Sequence, residues 1–191
     1  MIRLATWSKG QESVLNSPEN NPDKAAKVFA DDRANVFHSW SAQAQISPMA
    51  IAGGAGSYFW DFTGKKYLDF SCQLVFTNIG HQHPKVIAAI KEQADILTTI
   101  APQHANEARN EAAKRILEIS GDNFKKVFFT NAGADGIENA VRMARLHSNR
   151  HKILSTYRSY HGNTGSAINA TGDPRRFPNE FAFGHVHFWG P

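Results

Sequence analysis

The stretch VFFTNAGADGIENAVRMARLH, Val127 to His147, decides how this chain is read. Apolar, β-prone residues lead into a turn containing Gly133, and a helical pattern starts at once, with Ile137, Ala140, Val141 and Ala144 as its expected buried face. A strand that enters a helix through a tight turn leaves backbone N–H groups free at the helix start. The helix dipole adds partial positive charge there, so the junction suits an anion, most often phosphate. Gly133 lets a guest approach the backbone, and Ala132 and Ala134 add little bulk. The alternative is steric: many such turns carry Gly for geometry alone, with Asp135 capping the helix. The turn is neither a Walker A loop nor G-x-G-x-x-G.

Outward from this junction the pattern continues as α/β. Upstream, Pro84 opens a helix with Ile87, Ile90, Ala94 and Leu97 on one stripe. A second follows Asn106, with Ala108, Ala112, Ile116 and Ile119 aligned and Gly121 as its stop. Lys126–Thr130 reads as a short strand, Lys152–Tyr157 as another and Val186–Trp189 as a last one, with Ser159–Thr164 as a loop. Helix, helix, strand, helix, strand implies layers around parallel strands. Earlier still, residues 57–62 and 65–70 flank Thr63-Gly64 as a β-hairpin, and Gly53, Gly54 and Gly56 before it read as a loop. Residues 1–24 read as a flexible arm, with a helix turn over Lys24–Phe29.

The loop after the second strand, Ser159-Tyr160-His161-Gly162-Asn163-Thr164, is the other place where chemistry gathers. Open α/β sheets bind ligands at the carboxyl ends of their strands. Tyr160 offers a flat face, His161 a donor and an acceptor, and Gly162 an unusual turn. The plainer reading is that Tyr160 and His161 fill a gap.

Composition narrows the class. The 191 residues carry a net charge of +4, 41% hydrophobic residues and 11% aromatic residues. That balance suits a globular chain of one domain or slightly more, burying roughly 70% of its unfolded surface if it is a complete folding unit. The basic residues are scattered, which argues against nucleic acid as a partner. A single cysteine, Cys72, leaves no disulfide framework within one chain and fits a reducing, cytoplasmic compartment. No leader pattern opens the chain, and no run of about 18 apolar residues points to a membrane span. His81 and His83 form a His-x-His pair, but with no third ligand nearby a helix-entry loop accounts for them better than a metal.

Taken in order, four stretches resemble the class III pyridoxal-phosphate aminotransferases: Tyr58–Asp69, Asn78–Pro84, Phe128–Asp135 with Ala144-Arg145, and Tyr160-His161-Gly162. The resemblance runs from about Val36 onward. It implies the N-terminal part of a fold type I large domain, with an arm and hairpin over residues 1–70 and a partial cofactor-binding domain over 71–191. It implies pyridoxal 5'-phosphate as cofactor, an amine or amino acid and a keto acid as substrates, and a homodimer or association with the missing C-terminal part. Within the class the chain is most similar to the pyruvate-using ω-amino-acid or taurine-type enzymes.

By the resemblance, the amides of Gly133 and Ala134 hold the cofactor phosphate. Tyr160 stacks on the pyridine ring, with His161 beside it. Val75 and Phe76 shape the substrate pocket, and Trp40 approaches it. Where the family often has Ser at positions 132 and 134, this chain has Ala, so backbone groups must suffice. The family's Asp-Glu-Val strand and its Schiff-base lysine have no counterpart in the text. The sequence therefore leads to the expectation of a partial transaminase, inactive alone, with a large exposed apolar face. A non-catalytic remnant acting by association, and an unrelated phosphate-binding α/β domain, are the alternatives.

Overall fold

The computed structural model describes residues 20–179 and 184–188. Most of the expected arm, and Trp189 at the end of the expected last strand, lie outside them. The chain divides into two compact units, Met1–Ala101 and Pro102–Pro191.

In the first unit, helix α1 runs over Pro22–Asn35, longer than the single turn expected at Lys24–Phe29. Its start is well specified: Asn21 caps it by accepting from Lys24 N, Pro22 is pre-set for the first turn, and Asp23 suits the dipole. It buries no residue. Strands β1 (Ile51–Ala55), β2 (Tyr58–Asp61) and β3 (Lys66–Leu68) form an antiparallel sheet in that order. The expected hairpin is β2–β3, with Tyr58 opposite Leu68. Asp61 closes its turn by accepting from Thr63 N at 2.9 Å and Lys65 N at 3.1 Å.

The glycines read as a loop are a correction. Gly53 and Gly54 lie in β1, opposite Trp60 and Phe59. A Cβ at Gly53 would stand 3.0 Å from the indole of Trp60, which covers the bare strand and is 7% exposed. Gly thus makes room for a ring, at the cost of weak strand propensity. Gly56, just past β1, exchanges both backbone hydrogen bonds with His81.

After β3 comes α2 (Cys72–Val75), a single turn of left-handed hand with φ between 47° and 72° at all four residues. Helix α3 (Pro84–Ile96) follows as expected.

The second unit opens with α4 (Glu107–Ser120), capped by Asn106 and stopped at Gly121, whose φ is 78°. Helix α5 (Gly133–Ser148) ends at Asn149 in the left-handed conformation. Strands β4 (Ile153–Thr156) and β5 (His185–Phe188) pair in parallel, as the α/β pattern requires. Between them lie α6 (Gly165–Ala170) and a 3₁₀ helix over Pro174–Asn179. Neither was expected. The core of this unit is α6 and the residue after it: Ala167, Ile168, Asn169, Ala170 and Thr171 are each at most 3% exposed.

Two further expectations fail. Lys126–Thr130 forms no ladder with any described residue; β-prone side chains do not make a strand without a partner for the backbone. Of the expected buried face of α5 only Val141 is buried, and the apolar stripes of α3 and α4, for which burial was not expected, bury no residue: Ile90 is 59% exposed and Ile119 is 85% exposed. Spacing gives a helix its apolar face but not the element that covers it.

Candidate functional site

The first turn of α5 lies open. Ala132, not Asp135, stands at the N-cap position, and it has no side chain with which to cap. The first helical bond runs from Gly136 N to Ala132 O at 3.1 Å. The amides of Gly133, Ala134 and Asp135 meet no acceptor among the described residues, the set of orphan donors that a helix start leaves behind. Apart from its chain neighbours and the backbone of its own helix, no atom of the described residues lies within 4 Å of where a Cβ on Gly133 would point. No residue remote in sequence therefore requires glycine at this position.

The loop after β4 is tied down by its backbone. Ser159 Oγ donates to Thr156 O at 2.6 Å, and Gly172 N donates to Ser159 O at 3.0 Å. The fully buried Thr171 hydroxyl accepts from His161 N at 3.0 Å and reaches Ala167 O at 2.9 Å. Tyr160, 46% exposed, carries the Arg175 guanidinium over its ring at 4.4 Å from the centroid. Arg175 is itself fastened to Asp173, Nε to Oδ1 at 2.7 Å and a terminal nitrogen to Oδ2 at 3.1 Å. These hydrogen bonds hold the Asp173 carboxyl below the usual carboxylate range.

The turn and the loop meet at Gly162. Its φ is 130°, and a Cβ there would stand 2.6 Å from the Ala134 side chain and 3.1 Å from that of Ala167. Ala134 therefore meets the loop at Gly162, the residue after His161 and two past Tyr160. Glu138, one helical turn past Ala134, was not foreseen. Its Oε1 accepts from Thr164 Oγ1 at 2.8 Å and from Ala167 N at 3.0 Å. Burial pushes this carboxyl up, but the hydrogen bonds from Ala167, Thr164 and Ser166 outweigh it and hold it below its ordinary value. A signal did exist in the sequence: an acid sits on the inward stripe between Ile137 and Val141.

The other three candidates belong to the first unit. Val75 is 73% exposed and Phe76 is 76% exposed, at the end of the left-handed turn α2. Trp40 is 55% exposed with a φ of 56°. His81, of the His-x-His pair, is occupied by Asp69, Nε2 to Oδ2 at 2.7 Å.

With this geometry in hand, comparison with known proteins is informative. The sequence profile of the class III aminotransferases matches residues 40–187. The acetylornithine aminotransferase of Caldanaerobacter subterraneus is 37% identical over 134 residues, 67% of this chain and 34% of that protein. The 5-aminovalerate aminotransferase of Pseudomonas aeruginosa is 35% identical over 133 residues, 67% of this chain and 30% of that protein. Among solved structures, the taurine:2-oxoglutarate aminotransferase from Bifidobacterium kashiwanohense, in complex with PLP and glutamate, superposes with a TM-score of 0.83 at 44% identity. It covers 87% of this chain and 38% of its own. An S-selective transaminase from Arthrobacter sp. with alanine bound gives 0.72 at 34% identity, covering 76% of this chain and 32% of its own. The chain spans about a third of the length of the curated relatives it matches.

Proposed function

The chain belongs to the class III aminotransferases, with their fold type I α/β architecture over the part it covers, and from that premise we propose that its second unit supplies the phosphate cradle and ring platform of a pyridoxal-phosphate transaminase. Such an enzyme moves an amino group from an amine or amino acid to a keto acid. The similarity to acetylornithine, 5-aminovalerate and taurine aminotransferases supports a donor whose amine stands at the far end from an anionic group.

One observation carries the reading: Gly162 rests on Ala134, which supports a loop bearing Tyr160 and His161 held next to a helix start with three unclaimed amides. The residues present fit the cofactor. Gly133 and Ala134 bind the phosphate through N–H groups, with the α5 dipole behind them. Tyr160 orients the pyridine ring by stacking, and His161 flanks it. The cofactor, when bound, supplies the electron sink that the amino group transfer requires. No lysine of this chain is assigned the proton transfer. Val75, Phe76 and Trp40 are kept as substrate-pocket residues, and residues 71–191 as the cofactor-binding part. Association, with a second copy or another chain, is supported by the uncovered stripes of α3 and α4. A reducing, cytoplasmic location rests on the single cysteine, free in the structure.

The test is a titration of the full chain with pyridoxal 5'-phosphate, followed by absorbance and by competition with inorganic phosphate. Saturable binding that phosphate displaces is expected. Preference for a nucleotide over pyridoxal phosphate, or no binding at all, overturns the reading.

A further inference from the structure

We infer that Glu138 is the positioning residue of this site, a latch that holds the Tyr160–Gly162 loop against the phosphate turn. The inference rests on the proposed function for its consequence but not for its geometry. Ala134 and Glu138 lie one turn apart on α5, so they share a face. Ala134 touches Gly162 at one end of the loop segment. Glu138 grips its other end, accepting from Thr164 Oγ1 and from Ala167 N, partners 26 and 29 residues away in sequence. Ala167 N belongs to the first turn of α6, where a donor would otherwise be orphaned. Glu138 thus caps one helix from another. Thr171, just past α6, passes the constraint on: its hydroxyl binds both Ala167 O and His161 N. The chain of contacts runs from Glu138 through α6 and Thr171 to His161, next to the stacking ring. Charge-assisted bonds of this kind are about twice as strong as neutral ones, so the latch is well suited to a loop that must hold its place.

Amide hydrogen exchange of the full chain, read residue by residue, tests the latch without any cofactor. Glu138→Ala should speed exchange about tenfold at Ala167 and also at the remote His161 and Gly172 amides. Glu138→Gln, which keeps an acceptor oxygen, should stay close to the parent. Thr164→Val, which removes one donor and folds more safely, should give an intermediate change. Acceleration confined to Ala167 overturns the inference, since Glu138 would then be only a local cap. A second arm measures pyridoxal phosphate binding: Glu138→Ala should weaken it about tenfold and Glu138→Gln should restore it. Equal binding by parent and Glu138→Ala overturns the positioning role while leaving the proposed function intact. Absence of binding by the parent chain overturns the proposed function, with the exchange arm still deciding the latch.

Discussion

At the scale of single residues, Gly162 decides most. Its φ of 130° disfavours any L-residue, and the space of a Cβ is held by Ala134 and Ala167. Gly162→Ala should cost about 1–3 kcal/mol by overpacking and should also part the loop from the turn. Denaturant unfolding and pyridoxal phosphate titration of the same variant read the two effects. The sequence placed a permissive glycine here but could not say what it touched, because its neighbours are 28 positions upstream and five downstream. Cys72 is the reverse case, an L-residue at a φ of 49°, where glycine would be at ease. Left-handed backbone costs roughly 1–2 kcal/mol per residue, so Cys72→Gly should stabilise the fold by about 1 kcal/mol after the entropy of the freer chain is counted, seen as a higher unfolding midpoint. Asp69 gives a pH dependence. Burial pushes its carboxyl up, while bonds from Gln73 N and His81 prevail and set it below its ordinary 3.8. A depressed carboxyl stabilises the fold above the pH at which it titrates when unfolded, and the contribution vanishes as acid protonates it. Stability should therefore fall on acidification below about pH 3.8, and Asp69→Asn should flatten that slope in a series of unfolding curves.

At the scale of elements, the outcome follows what each signal reports. Caps and stops are local, and they placed α3, α4 and α5 well: Pro84, Asn106, Gly121 and the Gly133 turn all stand at the ends of helices. Pairing and covering are not local. Lys126–Thr130 has strand-like side chains and no ladder among the described residues, and β1 has a ladder despite its glycines. The core helix α6 escaped notice because Gly165–Ala170 is six residues, too short to show a period, and its burial comes from small side chains. One comparison separates spacing from burial. Ile168→Ala, at a site 2% exposed, should cost about 2–4 kcal/mol. Ile119→Ala, at a site 85% exposed, should change stability by no more than about 0.5 kcal/mol although it breaks the better helical stripe. Thermal melts of the two variants side by side check the contrast.

At the scale of the whole chain, the apolar surface stands out. Phe70 is 93% exposed, Leu74 87%, Phe37 83% and Phe76 76%, in addition to the stripes on α3 and α4. Apolar surface on this scale is what the proposed association would cover. The purified chain should bind a hydrophobic dye in its native state and should sediment as larger species as concentration rises. A dye-silent monomer across the range would contradict this account. The class and the α/β pattern were legible in the sequence because they rest on turns and short motifs. The coupling through Glu138 was not, since it joins side chains that only folding brings within 3 Å. The ribbon β4–β5 bears on how such a protein must be handled. Among the described residues each strand has one neighbour, so one rim of each keeps its amides and carbonyls unspent, with Leu154, Val186 and Phe188 standing out beside them. Rims of that kind are templates on which a further extended strand can dock, so the chain is best kept dilute during purification.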